Sequence, residues 1–398
     1  MEKEQCKEKV LIVHNYYQIP GGEDTVVRNE KELLEQHGHK VILYTRNNSE
    51  FKNFSKGRKL LLPFTTIFNP RTYREIKRII REEQIDLVHV HNTLNLISPA
   101  VYYAARSCRK PVVQTIHNFR LLCPGATFYR DGHICEDCVQ QGLQCAVKHS
   151  CYRNSCMQTL ACVINLKFHR MTGIYRRIHY ICLTEFNRGK LLQLPGLKPE
   201  QVYVKPNFAL QRESKEVTAG KREDFFLYAG RLDPLKGVQP LLEAWMQMGE
   251  QAPKLVMCGS GPLEDWCRET IEKRHLRTVD FRGQTPWEEV QKLMEKARAM
   301  ILPTQWYEGF PMTIVEAYFK GTPVIGPDMG NVGDLILEGR TGWKYNSKQT
   351  GGLEKAVWKA AEEEMDNKEI QTYYEQMFGA ERNYQKLIQI YQSVESKQ

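Results

Sequence analysis

AMILPTQWYEGFPMTIVEAYFKGTPVIGPD, Ala299–Asp328, reads as strand, loop, helix and strand in unbroken succession. AMILPT is a short apolar run ending at Thr304, and PVIGPD is a second. Between them Pro311 opens a helical pattern that runs to Lys320, since a proline's fixed φ suits the first helical turn. A strand–helix–strand unit of this kind belongs to a parallel sheet covered by helices. The first-turn N–H groups lack intrahelical acceptors and, with the helix dipole, form an anion site suited to a phosphate. Glu308 in the loop and Glu316 about a turn into the helix can accept hydrogen bonds from sugar hydroxyls. Taken alone, the two acids also read as a loop carboxylate and a helix-surface one.

The same alternation extends in both directions. Upstream in this half lie FFLYAGRL, KLVMCGSG and TVDFRG, with helical patterns at Val238–Met248, Leu263–Arg274 and Trp287–Ala297. The first half carries its own set: Val10–Asn15, Lys40–Thr45, Ile85–Asn92, Pro111–Asn118, Tyr180–Thr184 and Gln201–Asn207. These runs are nearly continuous in apolar residues, as parallel strands buried on both faces require. Asp24–His37, Arg71–Glu83 and Pro99–Cys108 read as the intervening helices. The expected fold class is α/β, with two Rossmann-like, doubly wound domains in series. Residues 1–207 form the first, polar residues 208–224 a linker, and 225–368 the second. Residues 369–398 read as one C-terminal helix, expected to pack back toward the first domain.

Length and composition agree with this division. The 398 residues fit two domains of about 150–200 residues each, and 41% hydrophobic with 26% charged content is that of a globular chain. The N-terminal MEKEQCKEKV lacks the apolar region of a secretion signal, and no apolar run approaches the ~20 residues of a membrane span. A cytoplasmic protein is expected. The net charge of +9 concentrates between Lys52 and Arg81, where seven cations from Lys56 to Arg78 face only Glu75 around the apolar KLLLPFTTIF. Such a segment suits an anionic membrane surface or, equally, a solvated helix face beside a core segment. No nucleic-acid recognition module accompanies the charge.

Two further signals concern phosphate. In AGRLDPLKG, Arg231 and Lys236 follow a strand end within one short loop, where ligands of open α/β sheets sit. In CGSGP, Gly259 and Gly261 permit close backbone approach to a nucleotide, and Pro262 suits a first helical turn.

Together these segments resemble retaining glycosyltransferase family 4, of the GT-B fold, in the bacterial surface-polysaccharide type. The spacing of Glu308 and Glu316 in EGFPMTIVEA is the most specific mark. The resemblance implies two domains facing a cleft, with donor in the second and acceptor entering from the first. It implies that Glu308 contacts the donor sugar, Glu316 the ribose diol, and Arg231 with Lys236 the diphosphate. Gly309, Phe310, Met312 and Thr313 would lie at sugar and phosphate, and Arg282–Gln284 beside the base. In the first half it places Gly21–Gly22 at the donor phosphates and His117 close to the sugar. A UDP-sugar is the implied donor, and a glycan or lipid-linked molecule the acceptor. Where the family often has Asn-Gly after the last strand of the first domain, this chain has Asn207–Phe208. No Asp-x-Asp occurs, so a catalytic metal has no visible ligands and metal-independent transfer is expected.

Residues of about 119–157 interrupt the alternation with Cys123, Cys135, Cys138, Cys145, Cys151 and Cys156. Cys135-Glu-Asp-Cys138 has a zinc-knuckle gap, and structural zinc held by Cys123, Cys135, Cys138 and Cys151 is the favoured reading. Other ligand sets, buried thiols and an iron–sulfur or redox role stay open; disulfides are disfavoured in a reducing compartment. Two functional alternatives also stand: a nucleotide-sugar epimerase of the same fold, and a non-catalytic zinc-containing interaction protein.

Overall fold

The computed structural model describes residues 7–18, 21–209 and 222–397. Most of the expected linker lies outside the described residues. The chain divides into two compact units, one of residues 1–128, 135–208 and 380–398, the other of 129–134 and 209–379.

The first unit is built on a six-stranded parallel sheet in the order β2-β1-β3-β4-β7-β8. Its strands are β1 (Lys9–Tyr16), β2 (Lys40–Asn47), β3 (Leu87–Val90), β4 (Val112–Ile116), β7 (His179–Cys182) and β8 (Val202–Val204). A small antiparallel hairpin, β5 (Tyr129–Arg130) with β6 (His133–Ile134), lies between β4 and β7 in sequence. β3 and β4 are buried at every position and β1 at all but its ends, which is why they read as continuous apolar runs. The chain reverses direction across the sheet at β1 and β3, and the C-terminal edge there is a natural place for ligands.

The second unit carries another six-stranded parallel sheet, in the order β11-β10-β9-β12-β13-β14. The strands are β9 (Glu223–Ala229), β10 (Leu255–Cys258), β11 (Val279–Gly283), β12 (Ala297–Ile301), β13 (Val324–Pro327) and β14 (Gly342–Tyr345). Its reversal point falls between β9 and β12, registered as Phe226 with Ala299 and Leu227 with Met300. β14, only four residues long, went unread in the sequence because GWKY is too short for a periodic signal.

Residues 369–395 read as one helix but fold as two, Asn367–Phe378 and Ala380–Glu395. The first stays in the second unit, burying Ile370, Tyr374 and Phe378 in its core. The second completes the first unit, where Leu387, Ile390, Tyr391 and Val394 cover Val10, Ile12, Leu87, Val113 and Ile181. Gly379 separates them, and its extended backbone (φ −59°, ψ 144°) ends the first helix.

Candidate functional site

In the second unit, the ends of β9 and β12 meet at the reversal point. Arg231 and Lys236 follow β9, and Glu308 lies in the loop after β12. Lys236 Nζ lies 2.7 Å from Glu308 Oε1, and the same oxygen accepts from Thr304 Oγ1 (3.0 Å) and Trp306 Nε1 (3.2 Å). Among the described residues, Oε2 receives no hydrogen bond. Glu308 is 5% exposed, so this carboxylate is held by the fold rather than by solvent. Asn331, fully buried, donates through Nδ2 to the Glu308 carbonyl and to that of Gly309 (2.7 Å), fixing the loop's backbone. Arg231 is exposed and paired with Asp233, whose other oxygen caps the Pro234–Lys236 turn through the Lys236 amide (3.2 Å).

The Met312–Phe319 helix begins after Pro311 with no side-chain cap. Its first intrahelical bond is Ile314 N to Pro311 O at 3.0 Å, so the Met312 and Thr313 amides precede it and have no intrahelical acceptor. Glu316 is half-buried and has no hydrogen-bond partner among the described residues; burial pushes its carboxyl up to about 7. Phe310 packs edge-on toward Phe378 and anchors the loop on the core.

The glycines of the CGSGP turn serve the protein's own backbone. A Cβ on Gly259 would stand 1.9 Å from the Gly230 carbonyl oxygen, and Gly259 has φ +151°. Leu232 N donates to Ser260 O (2.9 Å), so the turn and the Arg231 loop run side by side. Gly261 is similarly crowded by Leu232. Arg282 lies at the end of β11, the sheet's outer strand, paired with Asp280 (3.1 Å) and Glu289 (3.4 Å), and Gln284 follows it. The structure thus brings Arg231, Lys236 and Glu308 together and leaves Arg282 engaged at the sheet edge.

In the first unit, His117 follows β4 and faces His91, which follows β3. His91 Nδ1 is 3.0 Å from His117 Nε2, and His91 Nε2 is 3.2 Å from Glu30 Oε2. The other Glu30 oxygen meets Lys205 Nζ at 2.6 Å, and all of Glu30, His89 and Lys205 are fully buried. Burial alone would raise the Glu30 carboxyl, but the Lys205 ammonium and the histidines hold it well below its ordinary range. Burial drives His117 and His89 well below the ordinary imidazole value, each helped by His91. Both are neutral near pH 7. His91 Nε2 and Glu30 Oε2 make no aligned hydrogen bond despite their proximity, and the donor across the His91–His117 contact follows from the tautomer each ring adopts.

Gly21 caps the long Gly22–Gln36 helix, its N–H donating to Asp24 Oδ2 at 3.0 Å. Nearby, His14 Nε2 lies 2.7 Å from Asp24 Oδ1, and burial, then Asp24, lifts the Glu23 carboxyl to about 8. In the cysteine segment, burial pushes the Cys138 thiol up to about 12, with Cys123, Cys151 and Cys145 adding to it. Cys123 and Cys151 both flank Gly125. Among the described residues, the group whose ligand atoms lie within 4.8 Å of one another is Glu30, His89 and His91, where Lys205 already supplies the cation.

Sequence reasoning missed Thr304, Trp306 and Asn331, which hold Glu308 and its loop, and Asp233, which holds Arg231. It also missed Glu30 and Lys205, 175 residues apart in the chain. Only the position of Asn331 at a helix start (Gly330–Leu335) offered a local signal.

Residues 211–377 match the family model for glycosyl transferases group 1, and residues 20–140 that for glycosyltransferase family 4. Glycogen synthase of Mycobacterium tuberculosis is 33% identical over 134 residues, covering 33% of this chain and 32% of that protein. D-inositol 3-phosphate glycosyltransferase of Corynebacterium efficiens is 28% identical over 159 residues, 38% of this chain and 36% of that one. The chain therefore spans 32% and 36% of those relatives' own lengths. Anabaena HepE, solved in complex with UDP, superposes with a TM-score of 0.64 at 18% identity over 97% of this chain and 100% of that one. The apo lipopolysaccharide outer core galactosyltransferase WaaB gives 0.65 at 17% identity over 96% and 99%. At such identities the likeness establishes the fold, which is GT-B. Each half of the chain thus matches a glycosyltransferase family model over part of its length.

Proposed function

We propose that the chain is a retaining glycosyltransferase that moves a sugar from a UDP-sugar to a glycan or lipid-linked acceptor in surface polysaccharide synthesis, at the inner face of the membrane. The observation that carries this reading is the Lys236–Glu308 pair at the reversal point of the second sheet, with Arg231 on the same strand end. Lys236, Thr304 and Trp306 occupy one Glu308 oxygen, and Oε2 remains for a hydroxyl of the donor sugar. Glu316, without a partner of its own, would take the ribose diol. Gly309, Phe310, Met312 and Thr313 would surround sugar and phosphate, with Gly259, Gly261, Arg282 and Gln284 on the nucleotide side and Gly21–Gly22 toward the phosphates. Anabaena HepE has been solved with UDP and with UDP-glucose, which supports a UDP-linked donor.

In the proposed reaction the bond from the anomeric carbon to the diphosphate breaks, and one to the acceptor hydroxyl forms on the same face. The acceptor proton passes to the departing phosphate oxygen. Arg231, Lys236 and the Met312 and Thr313 amides stabilise the charge that develops there. His117, kept neutral by burial, would hydrogen-bond a hydroxyl and so orient it. With cations in these places and no Asp-x-Asp, transfer should persist in EDTA. Cys123, Cys135, Cys138 and Cys151 are proposed as structural zinc ligands, and one equivalent of zinc in metal analysis of the purified protein is the expected result.

Incubation with radiolabelled UDP-sugars and extracted lipid or glycan acceptors tests the function. Label on an acceptor, with the anomeric configuration kept, is expected. An altered free donor would instead reveal an epimerase, and an untouched donor an interaction protein.

A further inference from the structure

The Cys156–Met171 helix is apolar on both sides. Its inner side buries Cys162, Val163 and Leu166, yet Met157, Leu160, Ile164, Phe168 and Met171 stand 43–83% exposed. Their three- and four-residue spacing sets these five on a single stripe. The Leu62–Ile67 helix packs alongside, held by Asn165 Nδ2 donating to Thr66 O (2.7 Å) and by His169 Nε2 at Ile67 O (2.9 Å). It adds Phe64 at 70% exposure, and the adjoining turn adds Leu60 and Leu61 at 77% and 55%. Single exposed apolar residues need no explanation, but clusters of them mark a surface that meets something other than water.

Charge identifies the occupant. No Asp or Glu occurs from Lys56 to Arg74, nor from Val139 to Thr184. Over those stretches Lys56, Arg58, Lys59, Lys148, Arg153 and Lys167 supply cations. Arg58 and Arg78 also line a cleft beside the Lys56–Leu60 helix, in which Glu50 pairs with Arg46 and Glu75 with Arg71. An apolar face bordered by these cation-rich stretches matches an anionic lipid surface, with acyl chains below and phosphates around. A second copy of this chain would bring the same positive charge against it. The inner side of the same helix, through Cys162, Asn165 and Leu166, lines a cavity shared with Thr66, His91 and His117.

We propose that residues 56–67 and the outer face of the Cys156–Met171 helix form a docking surface for an anionic lipid bilayer, placing a lipid-borne acceptor at the His117 cavity. The docking deepens the inner-face assignment above, and its second half rests on the transfer reading. Flotation of the full chain with vesicles of phosphatidylglycerol and phosphatidylcholine, against phosphatidylcholine alone, tests it. Binding at least about ten-fold stronger to the anionic vesicles, and weakened by salt, is expected. The Leu61→Glu/Phe64→Glu/Ile164→Glu variant should lose flotation while its melting midpoint and UDP-glucose binding stay as in the wild type. Lys56→Gln/Lys59→Gln/Lys167→Gln should keep the fold and lose the preference for anionic lipid. Absent flotation of the wild type, or flotation of the glutamate variant at wild-type level, overturns the proposal. So does a dimer in light scattering that Ile164→Glu splits, since a second copy would then cover the face. Flotation needs no donor chemistry: bound protein that transfers nothing sinks the enzyme reading alone, and transfer to a soluble acceptor without flotation sinks the docking surface alone.

Discussion

Glu308 is a nearly buried carboxyl group held through one oxygen by a lysine and two neutral donors. Replacing Lys236 with Met should remove both the partner of Glu308 and a cation for the leaving diphosphate. A fall in kcat of about 100-fold or more, near 3 kcal/mol of transition-state stabilisation, is expected in steady-state assays. Glu316 makes a pH prediction. With its carboxyl near 7 in the unliganded protein, half the molecules carry a proton there, and the protonated form is the poorer acceptor for a diol. UDP-glucose affinity should therefore rise from pH 6 to 8 in calorimetric titration, and Glu316→Gln should flatten that rise. The pair of acids was legible in sequence because both lie in one loop–helix segment. Thr304 and Trp306 were not singled out, because what they touch depends on how the loop folds over Lys236.

Among the elements, two segments behaved differently from their sequence patterns. The loop after β12 depends on Asn331, which comes from the helix after β13 and holds two carbonyls of the loop. Asn331→Ala should leave those carbonyls short of a donor, costing about 1–3 kcal/mol in urea unfolding and weakening UDP-glucose binding in the same preparation. The Ala380–Glu395 helix returns to the first unit and buries four large side chains there. At roughly 1.5–3 kcal/mol for each buried side chain, truncation after Gly379 removes most of what a domain of ordinary stability holds in reserve. Limited proteolysis should then degrade residues 7–208 while a fragment of about the second unit persists. A single helical period ran through both C-terminal helices, so periodicity could not find the break at Gly379; only the two separate cores assign the halves.

Across the whole molecule, buried histidines weaken the fold toward acid. His14, His89, His117 and His169 are all pushed down by burial, His169 to about 4. The unfolded chain takes up these protons near pH 6.5, whereas the folded chain does so only at lower pH. At these four groups the unfolded state binds more protons in that window, so their contribution to stability falls as pH drops below about 6.5, while Glu23 and Glu316, raised to about 8 and 7, contribute in the opposite sense. For His169 the window runs from 6.5 to about 4, at about 1.4 kcal/mol per pH unit. Across it the wild-type urea midpoint should lose ground to that of His169→Gln. Two doubly wound sheets, the strand-end cations and the phosphate-binding helix start were written in local pattern, because apolar runs, prolines and short loops act over neighbouring residues. Sequence by itself determined that much, together with the glycosyltransferase likeness of each half. The tertiary structure alone decided that Lys236 meets Glu308, that Lys205 neutralises Glu30 under His91 and His117, and that the last helix belongs to the first sheet. Each of these joins residues far apart in the chain, and no local period records which distant charge or core a side chain will find.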